Sequence, residues 1–324
     1  MAGRHFRTGQ HCSRRRTVLE VKIAFAEYFY LNKAIEATQQ NKELLEKMAS
    51  IAEAQYRVGK AMQQDVLRAR VEISMLLEKL AELEQQRDTT VADLNAALQQ
   101  APETPLPPPE ELNARPLRFS LADLYAQANA NDTSIARSQA VIARGKLSVA
   151  LAERQYKPDF GVSYMFQQRT DQPAMNGLTV NVNVPVFWKS KQREAVAEAA
   201  ETLHGSERMQ DGQRNSVRAE VRRQYVAAET AQRLLALYTK GIVPQSSLAL
   251  ESAMSEYPVG KVDFLSLLSN FPTLLNYETD TYRQIANYHA AVARMENLTG
   301  ESITEESAAT RAQLSSMSEE KGAR

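Results

Sequence analysis

Two stretches about 200 residues apart repeat the same short pattern, and that repeat restricts the fold more than any other feature. Glu20-Val21-Lys22-Ile23-Ala24-Phe25 matches Glu220-Val221-Arg222-Arg223-Gln224-Tyr225, and Tyr56-Arg57-Val58-Gly59-Lys60 matches Tyr257-Pro258-Val259-Gly260-Lys261. Each glycine interrupts a helical pattern where a left-handed residue would end one helix, leaving only a short turn before an antiparallel return. Beyond the first turn, Val66, Ile73, Leu80 and Leu94 share one heptad position and Ala69, Leu76 and Leu83 the other, which is the seam of a coiled coil. Beyond the second, Phe264, Phe271, Ile285 and Val292 share one position and Leu267, Leu274, Tyr288 and Met295 the other, with Pro272 interrupting the register. The expected fold is therefore mainly α, with two long antiparallel coiled-coil hairpins that are copies of one unit.

Between the copies the periodicity changes. Residues 1–16 form a basic segment read as irregular, and residues 17–100 the first hairpin. Residues 101–119 carry Pro102, Pro105, Pro107, Pro108 and Pro109, which cannot be helical and predict an extended linker. The second repeat, 120–300, opens with a helix over 120–155, where Ser120 and Asp123 form a variant capping box. Two strands follow, at 159–168 and 177–187, joined by a loop from Arg169 to Gly177. In the first, Val162, Tyr164 and Phe166 alternate with Ser163, Met165 and Gln167; in the second, Leu178, Val180, Val182, Val184 and Val186 alternate with Thr179, Asn181 and Asn183. One apolar and one polar face suits a tilted membrane strand. The edge of a soluble sandwich shows the same alternation, and Trp188 just beyond is either an interfacial anchor or an ordinary strand-end packing residue. The second hairpin occupies 189–300, weakened at Gly205 and Gly212 and kinked or broken at Gly241-Ile242-Val243-Pro244, where Pro244 has no amide to donate. The polar tail, 301–324, is expected to be disordered.

Several function classes are excluded. Lys+Arg and Asp+Glu both total 39, so no global field recruits nucleic acid. Gly and Pro number only 12 each, and the remaining mix of Ala, Leu, Glu, Gln and Arg fits long helices better than compact globules. Cys12 stands alone, and His5, His11, His204 and His289 are scattered without a ligand or nucleophile motif. No catalysis, cofactor or metal site is expected. No run of about 18 apolar residues exists to make a transmembrane helix, and the first sixteen residues hold no apolar core of a secretory signal.

Paired Tyr-x-Val-Gly turns closing long coiled coils, a Pro-rich bridge between two copies, and Tyr156-Lys157-Pro158-Asp159-Phe160 opening a strand pair together resemble the TolC-like outer membrane efflux family. The resemblance runs from about Val18 to Gly300 and implies one β-hairpin contributed to a trimeric outer membrane β-barrel. In that family each protomer supplies two strand hairpins and two helical hairpins, and three protomers close a twelve-stranded barrel above a periplasmic helical tunnel. It further implies a homotrimer in outer membrane lipid of a Gram-negative bacterium, working with a periplasmic adaptor and an inner membrane pump as a passive conduit for small molecules or metal ions.

On this resemblance, Val58, Gly59, Lys60, Val259, Gly260 and Lys261 form the tips where the adaptor docks, and Tyr56, Asp65 and Tyr257 match positions that help to close the entrance. Gly and Tyr also terminate and pack any helical hairpin, and Asp65 is stabilised by the helix dipole wherever it sits in a first turn. Ser266 and Ser269 stand where some family members carry a ring of acidic side chains, which argues against a cation-selective constriction. The first copy has no preceding helix, strand pair or upper helix, which leads to the expectation of an N-terminally truncated, non-conducting chain. A soluble coiled-coil scaffold is the rival. A periplasmic adaptor is another, but it would show one hairpin flanked by Gly-rich strands.

Overall fold

The computed structural model describes residues 2–169, 172–186 and 189–303, with side chains from Arg14 onward except at 169, 172 and 174. Trp188 and residues 304–324 of the expected disordered tail lie outside the described residues. The chain forms two compact units, residues 1–128 with 219–324, and residues 129–218.

In the first unit, α1 (Ala2–Arg57) returns as α2 (Gln63–Ala97), and α6 (Val243–Glu256) returns as α7 (Phe264–Thr299). The basic segment read as irregular is helical from Ala2; no proline stands between Met1 and Arg57 to stop it. The heptad residues do what their spacing requires. Val66, Ala69, Leu80, Leu83 and Leu94 are buried along α2, and Phe264, Leu267, Phe271, Leu274, Tyr288, Val292 and Met295 along α7. Leu45, Met48 and Ala52 of α1, Leu250 and Ala253 of α6 and the first heptads of α2 and α7 merge into one core.

Pro272 does not interrupt α7, which continues unbroken through it. Its ring is exposed while Phe271 and Leu274 stay buried. The heptad spacing also continues, through Glu278 and Thr281, so what changes there is the chemistry of the seam and not its register. Pro244, by contrast, sits in the first turn of α6 beside a five-residue π-helical turn, Tyr238–Ile242, that separates α6 from α5 (Gln192–Leu237). Without an amide at Pro244 the ordinary four-residue bond has no donor, and the backbone shifts to the wider pattern.

The Pro-rich linker lies across this unit and is held by side chains. Prolines present carbonyls without matching amides, and the acceptors are taken up from the helices. Asn95 Nδ2 donates to Pro102 O at 3.0 Å and Thr104 O at 2.8 Å. Tyr28 Oη donates to Pro107 O at 3.2 Å, and Tyr288 Oη and Gln232 Nε2 both donate to Arg115 O. Lys33 pairs with Glu111 at 2.6 Å.

The helix expected over 120–155 is two helices, α3 (Leu121–Asn131) and α4 (Thr133–Arg154). Ser120 and Asp123 cap the first reciprocally, each backbone amide donating to the other's side chain. The break comes from Asp132, extended at φ −68° and ψ 130°, whose carboxylate accepts from the amides of Ser134 and Ile135 and so starts a second helix. In the second unit α4 lies close to α5 where a Cβ on Gly145 would come 3.1 Å from Leu203 Cδ1.

That unit also holds the antiparallel pair β1 (Asp159–Arg169) and β2 (Gln172–Asn183), in register from Asp159↔Asn183 through Tyr164↔Leu178 to Arg169↔Gln172, with an irregularity between Gln167 and Arg169. The segment read as a nine-residue loop is therefore mostly ladder. β2 stops before Val184 and Val186, next to Pro185, which has no amide for a ladder bond.

Candidate functional site

The repeated turns close with one bond pattern. Gly59 N donates to Tyr56 O at 2.9 Å and Lys60 N to Gln55 O at 2.8 Å; Gly260 N donates to Tyr257 O at 3.0 Å and Lys261 N to Glu256 O at 3.1 Å. This double closure needs a left-handed residue, and the two glycines have φ +74° and +73°. A Cβ on either would meet nothing within 4 Å. Conformation, not crowding inside the chain, demands glycine here.

Where each turn enters its second helix, the two copies use opposite halves of one capping arrangement. Met62 N donates to Asp65 Oδ2 at 3.2 Å in the first. In the second, Asp263 is the cap and accepts from Ser266 N at 3.4 Å and from Ser266 Oγ, which holds the Asp263 carboxyl below its usual range. Ser269 Oγ donates to Ser266 O at 2.8 Å. Asp65, Ser266 and Ser269 are thus engaged within their own helices, and both serines are exposed.

The structure brings the two tips side by side. Gln55 Nε2 of one donates to Pro258 O of the other at 3.1 Å. Beneath, Tyr257 packs against Phe264 with ring centroids 5.3 Å apart and joins Met48, Ala52, Val66 and Ala69 in the core. Val58 and Val259, each 68 % exposed, stand on the outer surface with Gly59, Lys60, Gly260 and Lys261. Tyr56 is exposed and Tyr257 is not, so the repeat places equivalent tyrosines in different environments. Gln55 and Asp263 were not singled out from sequence. The signals were an aspartate just before an apolar run, and Pro258 in place of Arg57 at a turn.

Tyr257 Oη is buried and meets no protein hydrogen-bond partner; burial first, and then the Asp65 charge, push its pKa up. An unsatisfied buried hydroxyl is a cost that phenylalanine avoids. Tyr257→Phe should therefore leave the melting temperature of the isolated chain unchanged or raised. A clear fall in a thermal melt would mean that the hydroxyl is engaged.

In the second unit the strand pair carries the other surface of interest. Phe160, Val162 and Tyr164 face Val182, Val180 and Leu178 across the ladder, and all six are more than half exposed. The opposite face carries Ser163, Thr179 and Asn181, with Asn181 folded over Gly161, where a Cβ would come 2.4 Å from its Oδ1. Among the described residues no group of three or more His, Cys, Asp or Glu is placed to hold a metal ion, and no helix is long and apolar enough to cross a membrane.

No family model matches the sequence, and no curated protein does. Solved structures do. The outer-membrane channel OprN superposes with a TM-score of 0.79 at 16 % identity, covering 91 % of this chain and 68 % of that one. The outer membrane protein VceC from Vibrio cholerae gives 0.78 at 14 %, covering 92 % and 73 %. The chain has the TolC-like channel fold. The MtrE outer membrane channel of Neisseria gonorrhoeae, in its open state, agrees at 0.73 and 13 %, over 91 % and 68 %. The TolC-like fold agrees with the long helices and the antiparallel strand pair seen among the described residues.

Proposed function

We propose that this chain supplies part of the outer membrane channel component of a tripartite export system, a passive conduit and not an enzyme. Three protomers would surround the conduit, with a periplasmic adaptor docking on the tips and an inner membrane pump beyond it. The observation that carries this reading is the pairing of two identically closed hairpin tips in a chain whose only described strands present a continuous apolar face. Backbone polar groups in lipid must be satisfied by a neighbouring strand, so in a membrane an apolar-faced pair of this kind would have to join a closed barrel. At the tips, Val58-Gly59-Lys60 and Val259-Gly260-Lys261 offer backbone at close approach, with a small apolar and a cationic group on each side. Tyr56, Asp65 and Tyr257 would bear on how the tips of neighbouring protomers meet, and Ser266 and Ser269 themselves add no charge there.

Trimer formation is the direct test. Apolar side chains on the hairpins stay open in the single chain, including Leu67, Val71 and Met75 of α2 and Leu265 of α7, all more than half exposed. An exposed apolar stripe of this extent marks a contact surface. Chemical crosslinking of the complete channel in detergent should give a ladder ending at the trimer. A monomer as the sole species would reject the assembly.

A further inference from the structure

The seam between α1 and α7 contains a layer, at Glu278, that the apolar heptad does not explain. Glu278 takes the heptad position between Phe271 and Ile285, and it is half-buried. Its partner across the seam is Asn41 of α1, 5 % exposed, whose Nδ2 donates to Glu278 Oε2 at 3.2 Å and to Ala37 O at 3.1 Å. Asn41 Oδ1 is buried and accepts from no protein group. An amide with both donors used and its acceptor idle, set against a carboxyl group, suits the protonated acid, which can accept from Nδ2 and donate to Oδ1 together.

We propose that Asn41 and Glu278 form a proton-operated latch between the two hairpins, closed by a two-way hydrogen bond when Glu278 is neutral and loosened when it ionises. The surroundings favour the neutral form. Burial pushes the Glu278 carboxyl above its usual range, and the Asn41 amide pulls less strongly the other way. The other ionisable groups along the seam do not offset its charge. On α1, Lys42 is engaged with Glu46 at 3.3 Å and Lys33 with Glu111 at 2.6 Å and Glu36 at 3.3 Å. On α7, Tyr282 is itself pushed up, chiefly by burial, and Arg283 pairs with Glu27 at 2.5 Å. On α2, Lys79 pairs with Glu82 at 3.6 Å. On the π turn, Tyr238 packs against Tyr277 with ring centroids 5.7 Å apart and Lys240 is exposed.

The consequence follows from linkage. An acid whose folded-state pKa is raised contributes full stability below its unfolded value, here 4.5, and loses it as pH rises through the folded value. Ionisation therefore weakens the layer that ties α7 to α1 above the shared tip core, and the hairpins are held more firmly in acid than at neutral pH. This goes beyond the export reading and does not rest on it, since it concerns a seam inside one chain.

Glu278→Gln tests it, because the amide reproduces the neutral acid's donor and acceptor but cannot ionise. In detergent the two proteins should melt together at about pH 4.5. The wild-type chain should then fall below the variant as pH rises, opening a gap of at least about 2 °C by about pH 8. A difference that stays constant across that range overturns the proposal. Should the variant fail to fold, hydrogen exchange in the wild-type chain decides. After correction for intrinsic rates, opening of the α7 amides around Glu278 should increase over the same interval, and no increase would reject the latch.

Discussion

Replacing Gly59 and Gly260 together with bulky residues is expected to abolish export by the complete channel while leaving its helices formed. Both glycines have φ near +74°, where an ordinary L-residue costs about 1–2 kcal/mol, and each closes its turn through two backbone bonds. That strain falls on the last turn of a hairpin whose core lies below it. Helical content by circular dichroism should therefore change little. The larger effect is at the surface. Because a Cβ at either position meets nothing of the chain itself, a bulky side chain projects outward into the space a docking partner would occupy. Asparagine separates the two effects, since it tolerates the left-handed conformation while still adding a side chain. If docking needs the bare backbone, Gly→Asn at both tips should relieve the strain and still impair export. Wild-type export from the bulky double variant, with adaptor binding intact in a pull-down, would reject the docking role.

The architecture was legible wherever periodicity was long. The α2 and α7 heptads are buried residue for residue at most of their positions, because a seam of five or more turns leaves little freedom in which face turns inward. Legibility failed where a single backbone group decided. Asp132 splits what reads as one helix, and its cap was hidden inside a polar run, Asn131-Asp132-Thr133-Ser134, that any helix surface could carry. Pro272 stands inside α7 without breaking it. The ring faces outward, and a helix anchored on Phe271 and Leu274 tolerates one missing amide, whereas Pro244 coincides with a glycine three residues earlier and yields the π turn. The strand end has a related cause, since Pro185 ends the ladder although the alternation continues through Val184 and Val186.

Of the tip, the sequence showed the turns but not their pairing. A repeat identifies two similar objects and says nothing of whether they touch. The contact depends on Gln55 reaching Pro258 O and on Tyr257 turning inward while Tyr56 turns out, differences that no local pattern encodes. The polar layer at Asn41 and Glu278 was equally hidden. Their sequence separation is large, and each alone resembles a solvated residue of a charged helix.

The remaining large effect concerns the 324-residue polypeptide used alone: it is expected not to form conducting pores in a lipid bilayer. Its described residues supply one strand pair, β1 with β2, so three copies would bring about six strands to a barrel. Diameter grows with strand number, and about eight strands already leave an interior filled by side chains. Six cannot enclose water. An open sheet is no alternative, because its edge strands would expose backbone amides and carbonyls to hydrocarbon at several kcal/mol each. The apolar face built by Phe160, Val162, Tyr164, Leu178, Val180 and Val182 would then favour association with detergent or lipid without closure. About a third of OprN has no counterpart in this chain. Planar-bilayer recording on the purified polypeptide decides the matter: the baseline should stay silent, and reproducible single-channel steps would show that these strands close a pore unaided.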